Sequence, residues 1–225
     1  RMRAIMASCN LNPRARGRNR SKSSMREGEP VMEELKVGIL LYPDAEELDW
    51  AGPFEVFSMA AMGKSLEVMT VAQTLDPVRC AKGLRVLPDH DFESAPPLDV
   101  VVVPGGQGSR VEMDNPVLLD WLKTAAGPCR WVTSVCTGSI LLCRAGLATG
   151  CEVTTHWGYL ETLQELAPDV RVRSDVRYVR DGRIVTSAGV SAGIDMSLWL
   201  VGELYGPDHA RETRRWMQYD PEPPY

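Results

Sequence analysis

Several features that announce common protein classes are missing from this sequence. No stretch approaches the roughly 20 consecutive apolar residues that cross a bilayer, so no membrane partner is expected. Only three histidines occur and no Cys-x-x-Cys pair, which leaves little to build a structural zinc site, and no metal or other cofactor is expected. Six cysteines in 225 residues are too sparse for a disulfide scaffold and read as reduced thiols of a cytoplasmic protein. Residues 1–26 hold no Asp or Glu but eight Arg or Lys. With a net charge of -5 overall, that +8 leaves -13 on the remainder. So acidic a body lacks the basic face that nucleic acid requires. No internal repeat is found either.

The first residues also lack the apolar core of a secretory signal. Their Arg and Ser content matches a transit peptide in composition, and an upstream translation start with Met32 as the working one is a further reading. Residues 9–30, rich in Asn, Pro, Gly and Ser, show no amphipathic period. A disordered basic extension over residues 1–34 is therefore expected, then one domain over 35–206 and a tail over 207–225.

What is present is an alternation of strands and helices. Residues 35–42, 66–72, 99–103 and 131–135 are short, nearly continuous apolar runs, as buried strands require. Residues 83–87 alternate and suggest a small hairpin. Late strands are expected at 170–172 or 176–179 and at 183–186, around an Asp181-Gly182 turn. Helices are expected over 46–60 with Pro53 near the start, 115–126, 137–145 with Gly146 as cap, and 191–204. The pattern is α/β: a doubly wound, mainly parallel, flavodoxin-like sheet with helices on both faces. Ligands bind such sheets outside the carboxyl ends of the strands, where the loops 42–52, 104–108 and 135–138 converge.

Cys136 is the central residue. A five-residue strand runs straight into a helix, and a cysteine at that junction has the geometry of a nucleophile elbow. Unpaired amides at the helix start would favour its thiolate. The plain alternative is a small buried hydrophobe. Gly105-Gly106, after the strand at 99–103, offers free backbone amides for an oxyanion hole, or a tight turn needing positive φ. Asp49 lies between Leu48 and Trp50 in an apolar stretch. It is either a helix cap or a carboxyl desolvated beside the thiol, with a raised pKa and able to exchange protons. His156 follows a strand end and reads as either catalytic or structural. His90, His209, Cys80, Cys129, Cys143 and Cys151 have no supporting context, and Lys123 and Arg130 read as a solvated face.

Taken together these segments resemble the DJ-1/PfpI superfamily, of the class I glutamine-amidotransferase-like folds. The resemblance runs from about residue 35 to 204. Four segments carry it: Val37-Gly-Ile-Leu-Leu-Tyr-Pro43 with Leu48-Asp-Trp-Ala-Gly-Pro53, Val103-Pro-Gly-Gly106, Ser134-Val-Cys-Thr-Gly-Ser139 and Thr154-Thr-His-Trp157. Asp49 in Leu-Asp-x-x-Gly-Pro and Thr137 after the cysteine look most like the isonitrile hydratase branch and the sensor domains of AraC-type regulators. Where the proteases of the superfamily carry His, Thr137 stands, which counts against proteolysis. The regulators append a helix-turn-helix domain for which the residues after 204 are too few.

The resemblance implies Cys136 as nucleophile, Asp49 as its acid partner, and Thr137 and His156 beside them. It places Gly105, Gly106, Gly138 and Trp50 around a small-molecule substrate. It further implies a cofactor-free homodimer. Three functions follow: hydration of an isonitrile to an N-substituted formamide, glyoxalase- or deglycase-like work on reactive carbonyls, or redox or ligand sensing without turnover.

Overall fold

The computed structural model describes residues 34–222. The basic extension expected over residues 1–34 thus lies, apart from Glu34, outside the described residues. In chain order the strands are β1 (Leu35–Leu40), β2 (Leu66–Ala72), β3 (Val78–Arg79), β4 (Arg85–Val86), β5 (His90–Asp91), β6 (Val100–Val103), β7 (Trp131–Val135), β8 (Glu152–Val153), β9 (Arg171–Val172), β10 (Tyr178–Asp181) and β11 (Ile184–Ser187). The helices are α1 (Glu47–Ala60), α2 (Ser109–Glu112), α3 (Pro116–Ala125), α4 (Ser139–Arg144), α5 (Leu160–Leu166), α6 (Ala192–Tyr205) and α7 (Pro207–Trp216).

Seven strands form one sheet in the order β10-β11-β7-β6-β1-β2-β5. Every neighbouring pair is parallel except the hairpin β10–β11. All four valines of β6 are buried, so both faces of the sheet are covered. The expected doubly wound α/β fold is the one observed. β3 and β4 make the small hairpin anticipated around residues 83–87. Of the two late segments left open, both form, as β9 and β10. Gly182, at φ +59, makes the turn into β11.

Three expectations need correction. Pro53 lies seven residues into α1 rather than near its start, the helix beginning at Glu47. The elbow helix begins with a 3-10 turn, Cys136–Gly138, before α4. The tail expected over 207–225 contains α7. Gly206, at φ +92, ends α6, and Pro207 opens α7 at a first-turn position where its missing N–H costs nothing. Thr213 is its only buried residue, and its inward face is short, with Ala210 and Met217 beside it, among many charges. It packs on α6 and α1, and the His209 ring shares a hydrogen bond with the Ala60 carbonyl at 2.8 Å.

No helix among the described residues is long and apolar enough to cross a membrane. The described residues hold no group of three or more His, Cys, Asp or Glu placed to grip a metal ion.

Candidate active site

β7 delivers Cys136 with no intervening loop. The cysteine adopts φ +56, a left-handed conformation that L residues other than Gly, Asn and Asp seldom take. Hydrogen bonds to its backbone hold it there. Its amide donates to Ala188 O at 3.2 Å. Its carbonyl accepts from Thr155 Oγ1 at 2.9 Å and Ser139 Oγ at 3.2 Å. The Val190 and Thr137 amides lie on the sulfur's side and favour its ionised form. Val190 itself stands at φ +48, an outlier for a β-branched side chain. Gly138 follows because a Cβ there would overlap the carbonyls of Val103 and Pro104, so β6 can abut the elbow only if residue 138 is glycine.

Asp49 enters from the first turn of α1. It is fully buried and is not the helix cap, which is Glu46. Oδ2 accepts from the Gly105 amide at 2.9 Å, while Oδ1 is buried without a partner of ordinary geometry. Burial pushes this carboxyl up to about 7, against the Gly105 hydrogen bond; Glu46 adds to the rise, and a hydrogen bond with Cys136 opposes it. Burial and the Asp49 carboxylate push the Cys136 thiol up to about 12, against the Thr137 and Val190 amides. The thiolate expected from a helix start is thus not the resting form. One 3-10 turn with two amides does not outweigh desolvation plus an adjacent carboxylate. The pair instead rests as a neutral thiol next to a carboxyl able to take its proton.

Gly105 and Gly106 do not offer open amides. That of Gly105 is held by Asp49, and that of Gly106 donates to Thr137 Oγ1 at 3.0 Å. The amides on the sulfur's side belong to Thr137 and Val190. Both glycines are needed for close approach: a Cβ at Gly105 would overlap the Thr137 amide, and Gly106 sits at φ +115 against the chain at residues 44–46. The Thr137 hydroxyl also accepts from Ser109 Oγ at 2.9 Å and donates to Gly106 O at 3.2 Å, so it ties the elbow to the glycine loop.

Trp50 is buried, and its indole N–H lies against the Cys80 sulfur. His156 caps the 3-10 turn at residues 157–159, Nδ1 accepting from Gly158 N at 3.1 Å. Its ring packs on Gly189, where a Cβ would overlap it. With Thr155, Gly189 and Val190 it lines a cavity of about 360 Å³. No hydrogen bond joins it to Cys136 or Asp49 among the described residues. The histidine is next to Val190, not on the sulfur.

Sequence reasoning missed Val190, Thr155, Ser109 and Tyr42. The Tyr42 hydroxyl donates to Pro104 O, and its pKa is raised well above the ordinary value by burial, then by Asp49 and Cys136 nearby. The motif Leu-Leu-Tyr-Pro contained it, but as part of a strand end.

Comparison with known proteins extends this picture. A sequence model of the DJ-1/PfpI family matches residues 35–203. An isonitrile hydratase of Pseudomonas putida is 40% identical over 191 residues, covering 85% of this chain and 81% of the relative. A Parkinson disease protein 7 homolog of Danio rerio is 31% identical over 78% of this chain and 93% of its own. Among solved structures, a ThiJ/PfpI family protein from Pseudomonas syringae superposes with a TM-score of 0.78 at 30% identity, covering 90% of this chain and 84% of that one.

Proposed function

Because the chain belongs to the DJ-1/PfpI family, we propose that it is an enzyme hydrating a small isonitrile to an N-substituted formamide, with Cys136 as nucleophile and Asp49 as the single proton carrier. The observation that carries this reading is the coupled pair of a neutral buried thiol and a carboxyl poised near 7. The 40% identity to an isonitrile hydratase supports the substrate class.

The terminal carbon of an isonitrile accepts a soft nucleophile and a proton at the same atom. As the sulfur bonds to that carbon, Asp49 takes the thiol proton and passes it to the carbon. This leaves an S-linked thioformimidate, R–N=CH–S–Cys. Asp49, ionised again, removes a proton from water as its oxygen adds to the same carbon, and returns that proton to the imine nitrogen. The carboxylate then takes the hydroxyl proton, the C–S bond breaks, R–NH–CHO leaves, and the proton goes back to sulfur. The sum is one isonitrile and one water giving one formamide. Amides of Thr137 and Val190 stabilise the sulfur whenever it carries charge.

Two alternatives fit less well. Turning a hemithioacetal into an acid needs a further base to move a C–H proton, and His156 is tied to Gly158 without touching the pair. Peroxide sensing relies on a thiolate, whereas the Cys136 thiol is pushed up to about 12.

The test is incubation of the purified protein, and of Cys136→Ala, with a simple alkyl isonitrile, following formamide by mass spectrometry. Formamide is expected from the wild type alone. A folded wild type that releases none would overturn the reading.

A further inference from the structure

The described residues form a further pocket that the chemistry above leaves unused. A cavity of about 380 Å³ opens beyond the carboxyl ends of β1 and β2. Its size is that of small-ligand sites, and its place in the sheet is where doubly wound folds bind ligands. Most of its wall is apolar, including Leu41, Ala72, Val78 and Leu118. Tyr42 is part of that wall, while its hydroxyl is bonded to Pro104 O on the side of the catalytic pair. The tyrosine thus divides the cavity from Cys136.

One wall residue is out of character. Glu112, in α2, is 9% exposed. Oε2 accepts from Asn115 Nδ2 at 2.7 Å, and among the described residues Oε1 accepts from nothing and no ion pair involves the carboxylate. Asn115 is itself fixed. The same Nδ2 donates to Gln73 Oε1 at 3.0 Å, and Oδ1 caps α3 by accepting from Val117 N at 3.1 Å. Glu112 is therefore held in place with one oxygen spent and the other free on the wall of an apolar space. A mostly covered carboxylate that keeps one oxygen reachable from outside can take a cationic donor, and among the described residues its side-chain partner is a neutral amide. Exposed Arg79 and Asp76 also stand on the rim, one charge of each sign.

We propose that this cavity binds a small organic cation, its ammonium or amidinium head on Glu112 and its aliphatic body against Leu41, Ala72, Val78 and Leu118. The site is separate from Cys136 and does not depend on the reaction proposed there.

Calorimetric titration of the full chain with isoamylamine at neutral pH tests it, with isoamyl alcohol and 4-methylpentanoate as neutral and anionic counterparts. Saturable binding of the amine is expected, with both counterparts weaker by at least about tenfold. Glu112→Gln, which keeps an oxygen for Asn115, lowers amine affinity roughly ten- to hundredfold. Wild type alkylated at Cys136 binds the amine as before, an arm that needs no variant to fold. The proposal is overturned by no saturable binding of the amine to wild type, by undiminished binding to folded Glu112→Gln, or by an acid that binds as tightly. Loss of binding on alkylation also overturns it, placing the amine in the catalytic crevice.

Discussion

Burial leaves Asp49 and Cys136 one proton to share between about pH 7 and about 12. Below 7 both are protonated and no group can take the thiol proton. The proposed hydration therefore has kcat/KM rising about tenfold per pH unit below neutrality and level above it, with an apparent pKa near 7. Asp49→Asn keeps an oxygen for the Gly105 amide but cannot carry protons, so the profile flattens and the rate falls by about 10²–10⁴. The same shift has a thermodynamic sign. Asp49 is an acid whose folded pKa lies above its unfolded one, so the stability it contributes is full below about pH 4 and lost as pH rises through about 7. Relative to wild type, Asp49→Asn gains on the order of 2–4 kcal/mol between pH 4 and 8. Urea unfolding of both proteins at the two pH values reads it; a difference independent of pH would show that the carboxyl is not desolvated as described.

Between single residues and the whole chain, the site is an arrangement of three segments that touch backbone to backbone: the elbow after β7, the glycine loop after β6, and the first turn of α1. This level was only half legible in the sequence. The elbow was, because a buried run with no loop before Thr137 leaves Cys136 nowhere else to sit. Of the two readings of Gly105-Gly106, the tight turn holds, with Gly106 at φ +115, and the free amides do not. An amide that looks free along the sequence is free in space only if no other segment arrives to accept from it, and Asp49 and Thr137 do arrive. Val190 could not be found at all, because a left-handed valine is imposed by tertiary contacts against local preference. The role of Gly105 can be isolated, since its backbone is not in the left-handed region and only space forbids a side chain. Gly105→Ala pushes a methyl into the Thr137 amide and towards Asp49 Oδ2, 3.0 Å away. The expected cost is about 1–3 kcal/mol of stability, with formamide turnover falling at least tenfold. Unchanged unfolding and turnover would mean that the loops can separate without consequence.

For the whole molecule, the parallel order of the sheet could be read from apolar runs, but the layer that closes it could not. α7 carries Asp208, Arg211, Glu212, Arg214 and Arg215, and it is held by partly buried contacts such as Ala210 and the His209–Ala60 bond. The face it turns to the other helices is periodic but made of small and polar groups, Ala210 and Thr213 among them, so its mean hydropathy is low and it reads as a polar tail. Its side-chain hydrogen bond to α1 is at Ala60, the last residue of that helix, whereas Asp49 is the third. At 1.5 Å per residue the two positions are about 16 Å apart. Stability and chemistry are thus separable along one helix. Removing residues 207–225 should lower stability by about 2–4 kcal/mol through newly exposed surface on α1 and α6. Below the reduced melting temperature it should leave formamide turnover within about twofold of the full chain, because the hydrogen bond of α7 to α1 is at the end of that helix far from Asp49. Thermal unfolding and turnover measured on the same truncated sample decide it. A truncated protein that melts lower and is also inactive while folded would show that α7 sets the position of Asp49 through the length of α1.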